Sequence, residues 1–546
     1  MIVKLDRFMG VAPRVAPHLL PATHAAEAIN CYFASGALRA LRSSSVVSLS
    51  LTGSGEIKSI YRHDTPTGSY WFSFAEVTDL APSPVTRDGY RRLYYVNGSS
   101  GFPQVVPEAG MVQGDVNPTL AGPRRLGLPV PDITGLAPDL PSGGDSSQQD
   151  TRYYALTWVS EFGEESQPSA LLGPFVVNSG QSVVITSPDP PNREACGAVI
   201  TKWNIYRSNK GTSATKLQFV ASIALSQSRT YEDSLPSSAL SEVLPSATWA
   251  APVSGMAGLT IMACGSLAAF YGRQLAFSEP LHPHAWPVEY ERPLDYDIVG
   301  LGAFGRSLLV LTNGYPYVFT GDHPNALERQ RVDDGLACVS KRSIVDLGSG
   351  VCYATPEGIM FVGSAGVKLV TAELFDRKEW EKLNPASIHG YNFGGRYVGF
   401  YAVSDTERRG FILDLDGNWS WLDFYASAGW YDHKSGNLYL IIDQAAYLFD
   451  SGEPLTCAWL SPPMLTNRLL NFGVARVRAP QYPVAFALYT LEDPAAPALR
   501  YARAVPDDKP FPLPAGFRAD AWQIGAGNDL DVVWLAESRQ ELMSAQ

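Results

Sequence analysis

Apolar and aromatic residues in this chain come in short runs that end at turn residues. "LAAFYGRQLAFSE" reverses at Gly272, "LLVLTNGYPYVFTG" at Gly314 and "VCYATPEGIMFVG" at Gly358. "YVGFYAVSDTERRGFILDL" reverses near Asp405, and "LYLIIDQAAYLFD" near Asp443. The steps between these turns are 42, 44, 47 and 38 residues. Each unit is an apolar strand, a turn and a second strand rich in aromatics. That predicts a β-hairpin recurring at a period of roughly 40–45 residues. A lone hairpin leaves two open edges and an unburied face, whereas a ring of hairpins buries each face on its neighbour. The pattern therefore predicts a mainly β fold built on a β-propeller. Five hairpins follow residue 260, and one or two more lie in "IKSIYRHDTPTGSYWFSF" (57–74) and "RRLYYVNGSSGFPQVV" (91–106). Together they suit about six blades.

Other stretches fall outside this period. "LLPATHAAEAINCYFASGALRALR" (19–42) offers Thr23 as an N-cap and predicts a turn or two of Ala-rich helix. From Asn30 it changes to strand–turn–strand, reversing at Ser35-Gly36. Residues 134–150, "TGLAPDLPSGGDSSQQD", read as a linker. Alternating runs at 152–170, 182–188, 202–209, 217–225 and 230–234 are spaced like a fibronectin- or immunoglobulin-like β-sandwich of about 100 residues. It would be inserted between blades. Tyr154, Leu156 and Trp158 would share one face, and so would Trp203, Ile205 and Arg207. Residues 451–546 break the period and predict more strands in a separate β layer. The predicted organisation is an N-terminal segment (1–45), a first propeller part (46–145), the sandwich (146–250), a second propeller part (251–450) and a C-terminal β region (451–546).

Composition supports the β reading. Gly (48) and Pro (41) are abundant, and aromatics reach 11% of the 546 residues. Net charge is −12, so the surface as a whole does not suit phosphate binding. Residues 1–45 carry +3 and the remainder −15. Either that basic end touches a partner or it holds a few solvated side chains. The six cysteines, at 31, 196, 264, 338, 352 and 457, form no C-x-x-C pair. They suit small buried residues in a reducing cytoplasm. "MIVKLDRFMG" has neither the apolar core nor the cleavage site of a signal peptide, and no run of about 18 apolar residues predicts a membrane span.

The tempting motifs lack context. "GLGAFG" (300–305) fits G-x-G-x-x-G, but a strand and an Asn-Gly turn follow it where a dinucleotide site needs a helix. His282 and His284 of "HPH" have no third ligand nearby in sequence. In "DLDGNWSW" (414–421) Asp416 and Gly417 are adjacent, the wrong spacing for an Asp-box, so a turn into a strand with Trp419 and Trp421 on one face is expected. Trp203, Trp286, Trp380 and Trp430 could stack on sugars, but aromatics in β proteins are mostly core. No pair of carboxylates stands out for glycoside hydrolysis. No catalytic, cofactor-binding or metal-binding residue is nominated, no cofactor is expected, and the chain is read as a non-enzyme.

Four separated stretches resemble the nozzle proteins of short-tailed bacteriophages, also called tail tubular protein B, and related packaged-DNA stabilisation proteins. They are "LPATHAAEAINCYFASGALRAL", with Pro21, Ala26, Asn30, Gly36 and Leu38; the module carrying "YYALTWVSEFGEESQPS" and "KWNIYRS"; "GRQLAFSEPLHPHAW"; and "PLPAGFRADAWQIGAGNDLDVVWLAESRQEL". The resemblance implies a structural virion protein of the viral tail, assembled in the host bacterial cytoplasm. It would form a homohexameric ring below the portal and adaptor (head-to-tail connector) protein, with tail fibres or a tip or needle attached. Double-stranded DNA would pass its lumen without specific binding, be retained there and be released at DNA ejection. No membrane partner is implied. Arg39 and Arg42 in the basic segment are the candidate adaptor-docking residues. The alternatives are a carbohydrate-binding or carbohydrate-cleaving tail-associated propeller, and a propeller that serves as a general interaction scaffold.

Overall fold

The computed structural model describes residues 1–49, 55–111, 124–192, 197, 199–209, 216–491 and 497–544. The protein is mainly β. Among the described residues the α-helices are two short ones, Arg377–Glu381 and Arg539–Ser544.

Among the described residues, a series of seven antiparallel sheets follows along most of the chain. Sheet I is the hairpin Ser59–Thr65 with Gly68–Phe74. Sheet II is Asp79–Pro82, Leu93–Val96, Gln104–Val106 and Arg124–Arg125. Sheet III is Ala257–Ile261, Leu267–Tyr271, Gln274–Phe277 and Arg292–Pro293. Sheet IV is Ile298–Phe304, Ser307–Thr312, Tyr317–Thr320 and Glu328–Arg331. Sheet V is Val345–Asp346, Gly350–Ala354, Ile359–Gly363 and Gly366–Leu369. Sheet VI begins with His389–Phe393, Arg396–Ala402, Arg408–Leu413 and Trp419–Leu422. Sheet VII is Ala428–Asp432, Asn437–Ile442 and Ala445–Leu448, completed by Ser45–Val47 from the other end of the chain.

All five turns of the periodic pattern join the second and third strands of sheets III to VII, which are four-stranded except for the larger sheet VI. The first and fourth strands were not part of the expected hairpin. They are often short or exposed, as in Glu328–Arg331, so their hydrophobic signal is weak. Residues 59–125 give a hairpin and a four-stranded sheet, so this series holds seven sheets among the described residues.

The second strands explain why the apolar runs are continuous. In Ser307–Thr312, Leu308 and Val310 join a core shared with sheet III, while Leu309 and Leu311 join one shared with sheet V. Side chains alternate across a strand, so a strand between two sheets is apolar at every position. Ala268 and Phe270 likewise face sheet IV, and Leu267 and Ala269 face sheet II. Separate cores also join VI to VII, VII to I and I to II.

The expected helix near residue 23 does not form. Glu27–Ile29 is a strand, pairing parallel with Trp419–Leu422 and antiparallel with Ala458–Leu460. Weak Ala-rich propensity loses to two backbone ladders on offer. Cys31–Ala34 and Ala37–Ala40 form the expected hairpin, with positive φ at Ser35 (52°) and Gly36 (84°). Nor is the C-terminal region a separate layer. Through Glu27–Ile29 it extends sheet VI into ten strands, adding Ala458–Leu460, Ala519–Gly527, Val484–Thr490, Ala498–Val505 and Met464–Leu470. A further sheet pairs Ile2–Leu5 with Val532–Ala536, itself beside Val474–Arg478.

In the inserted module, Asp145–Ser160 pairs with Leu172–Ser179 and Ile200–Ser208, and Leu217–Ala224 lies at the edge. Val183–Thr186 and Thr230–Asp233 form a second, two-stranded sheet. Tyr154, Leu156, Trp158, Trp203 and Ile205 share the core with Val183 and Ile185. The last six residues of the expected linker, from Asp145, are strand. Their side chains are polar and mostly exposed, so only their backbone pairing marks them.

Candidate functional site

A cavity of about 540 Å³ opens where first strands meet. Sheets I, II, V, VI and VII line it, through Lys58, Tyr61, Asp79, Asp346, Tyr391, Trp430 and neighbouring residues. Sheets III and IV reach the same place. Asp79 Oδ2 accepts from the Gly258 amide at 2.7 Å and from Lys341 Nζ at 2.5 Å. A Cβ on Gly300 would stand 3.4 Å from Lys341 Cγ and 2.4 Å from Ile344 Cδ1. Beside Lys341, the Arg342 guanidinium donates to the Lys58 carbonyl at 2.8 Å and to the Ser427 carbonyl. Arg342 therefore ties sheet I to the start of sheet VII.

The "GLGAFG" glycines gain their explanation here. They lie in Ile298–Phe304 and the turn after it, not before a helix. A Cβ on Gly302 would meet Val351 Cγ1 at 2.9 Å. The glycines let sheet V approach, a close-packing use of bare backbone.

A second constellation is buried between the inserted module and the sheets. Arg92, just before Leu93–Val96 of sheet II, holds Asp88 Oδ2 at 2.8 Å and Glu164 Oε1 of the inserted module at 2.5 Å. His284 Nδ1 lies 3.9 Å from the same Glu164 oxygen. All four side chains are less than a tenth exposed. Burial pushes the Glu164 carboxyl up to about 7, against the pull of Arg92, because Asp88 already shares that guanidinium. Burial pushes His284 down to about 3, aided by His282 and Arg92. Tyr90 donates to the Glu161 carbonyl at 2.8 Å, and Arg124 pairs with the Glu161 carboxylate. His282 and His284 both pack on Trp249, with centroids at 4.5 and 5.5 Å. Among the described residues no group of three His, Cys, Asp or Glu side chains is arranged to hold a metal ion. Sequence reasoning missed this joint, because residues 88–92, 164 and 284 meet only in three dimensions.

Trp203, Trp286 and Trp380 are buried, while Trp430 lines the cavity. Trp286 packs between sheets II and III. Trp419 and Trp421 lie on one strand with rings 5.3 Å apart, after a turn in which Asp414 Oδ1 accepts from the Asn418 amide at 2.9 Å. Cys31, Cys264, Cys338, Cys352 and Cys457 are free thiols, and Cys196 lies outside the described residues. Burial pushes Cys338, Cys352 and Cys457 up to about 12. Arg39 is paired with Asp531 at 2.8 Å, whereas Arg42 is exposed and donates to the Gly452 carbonyl at 3.2 Å. No described helix is long and apolar enough to cross a membrane.

No protein-family model matches the chain, and no curated protein matches its sequence. Among solved structures, BBS1N in complex with ARL6DN is similar over 50% of this chain and 86% of that one, at 11% identity and a TM-score of 0.24. The extracellular domain of a hybrid two-component system from B. thetaiotaomicron covers 85% and 47%, at 9% identity and 0.28. An exo-β-1,3-galactanase from Phanerochaete chrysosporium covers 65% and 78%, at 9% identity and 0.16. Scores this low carry no argument about this chain.

Proposed function

We propose that the chain is a structural subunit of a short-tailed bacteriophage tail nozzle. Its seven sheets would be the blades of one propeller, with the inserted module a fibronectin- or immunoglobulin-like sandwich. The paired cores that run from each sheet to the next, and from VII back to I, support the propeller reading. The first strands gathered around one cavity support it too.

One observation carries the assignment. The four stretches that resemble nozzle proteins supply joints between β modules. The opening stretch provides the strand that links sheet VI to the C-terminal region. "SEFGEES" provides Glu164, and "SEPLHPHAW" provides His284 of the same buried joint. The closing stretch provides Val532–Ala536, which holds Ile2–Leu5. A chain whose shared features fix modules to one another suits a rigid building block.

Six copies would form the ring below the adaptor, with fibres or a tip attached. An acidic lumen would repel DNA over about 8 Å at physiological salt, so the genome would slide without sticking. Arg42 remains the better candidate for adaptor docking, since Arg39 is engaged within the chain. Scattering mass and electron microscopy of the purified protein with its adaptor test the proposal. A six-fold ring is expected. A protein that stays monomeric with the adaptor present, or a ring whose lumen is basic, overturns it.

A further inference from the structure

The cavity lined by first strands carries charge that an assembly role leaves unused. Lys58, Lys341 and Arg342 line it against the two carboxylates Asp79 and Asp346. A local excess of cations on a chain of net charge −12 is a selective feature. Lys341 is neutralised by Asp79 at 2.5 Å. Arg342 is not neutralised: among the described residues no carboxylate lies within 4.0 Å of its guanidinium, which is half-buried and held by two backbone carbonyls and the Tyr391 hydroxyl. A guanidinium has five donors in a planar fork that fits carboxylate or phosphate. These neutral oxygens fix its orientation and leave its charge uncompensated. Partial burial makes that costly, and an incoming oxyanion would relieve it.

The walls specify the rest of a ligand. Tyr61, Tyr391, Trp430 and Tyr431 give the cavity aromatic surface, and Ile60, Ile344 and Val345 extend its apolar lining. Lys58 and His433 are exposed at its border. A volume of about 540 Å³ falls in the range of small-molecule sites, which pair apolar walls with a few fixed polar groups. Ring C–H faces pack on aromatics, while an oxyanion seeks the guanidinium.

We infer that this cavity binds a sugar bearing a single oxyanion, its carboxylate or phosphate on Arg342 and its ring against the aromatic wall. Nozzle assembly is not required for this, since the site is complete within one chain.

Calorimetric titration and tryptophan fluorescence with glucuronate, glucose 6-phosphate and glucose test it on the full chain. Saturable binding of at least one anion is expected, with glucose weaker by about tenfold or more. Preference for glucuronate assigns the carboxylate, and preference for glucose 6-phosphate assigns the phosphate. Arg342→Gln should weaken the anion by about tenfold or more, and Arg342→Lys should restore part of the loss. Because Arg342 also ties two sheets, Lys58→Gln serves as a second variant. It should weaken the anion and leave glucose unchanged. The inference is overturned if no probe binds saturably, or if glucose matches the anions. It is equally overturned if a folded Arg342→Gln protein binds as before, or if Arg342→Gln fails to fold and Lys58→Gln leaves anion affinity unchanged.

Discussion

Glu164→Gln should make the joint between the inserted module and the sheets more stable above neutral pH. Glu164 lies 8% exposed between Arg92 and His284, with Asp88 on the other side of Arg92. Arg124, Glu161, Glu165, Tyr94 and His282 complete the charged and titratable surroundings. The folded carboxyl titrates at about 7 against an ordinary 4.5. A raised folded value means the native state holds its proton more tightly than the unfolded state does. The stabilisation is complete below 4.5 and is lost as pH rises through 7. At about 1.4 kcal/mol per pH unit, the loss across that window is on the order of 3 kcal/mol. Glutamine keeps the hydrogen bond from Arg92 and removes the titration. His284, pushed down to about 3, has the opposite sign: it costs stability as pH falls from 6.5, because the unfolded imidazole takes up a proton. Subtracting wild type from variant removes that contribution. The assay is native-state hydrogen exchange of residues 158–166 between pH 5 and 8. The variant's advantage should grow through that range. Parallel profiles for the two proteins would refute the reasoning, since Glu164 would then have no perturbed titration.

The other expectations are simpler. Arg207→Met should destabilise the inserted module by about 3–5 kcal/mol in denaturant titration, since it strands Asp233, which is fully buried and also accepts from Tyr154 at 2.7 Å. Gly302→Ala should cost about 1–3 kcal/mol by overpacking Val351, whereas Gly305→Ala, with open space around it but φ +53°, should show only backbone strain; thermal melts compare the two. Trp419→Ala should lower thermal stability by about 3–5 kcal/mol, because its ring stacks on Phe411 at 3.9 Å in the largest core. His389, pushed down to about 3 by burial and held to the Ala426 carbonyl at 2.8 Å, should make sheet VI lose protection below pH 6.5; exchange of residues 389–393 reads it, and a flat profile from pH 6.5 to 4 would contradict it.

Local pattern determined much of this protein. Strand and turn were readable from "LLVLTNG" and its equivalents, because a strand packed on both faces must be apolar at successive positions and must end where a turn residue stands. The rejection of a nucleotide loop at 300–305 was readable from the Asn-Gly turn that follows. The face shared by Tyr154, Leu156 and Trp158 followed from period two alone. Tertiary structure decided what local pattern could not carry. Glu27–Ile29 is a strand only because two distant strands offer it hydrogen bonds. Ser45–Val47 completes sheet VII from the far end of the chain. Asp145–Ser160 begins with eight polar or charged side chains, and only a partner's backbone makes them strand. Asp88, Arg92, Glu164 and His284 are ordinary polar residues one by one, and Arg342 is one arginine among many. Burial gives them unusual chemistry, because a charge taken from water must find its compensation within the fold. For Arg92 that compensation includes Glu164, far away in sequence, whereas Arg342 is left without a carboxylate partner among the described residues.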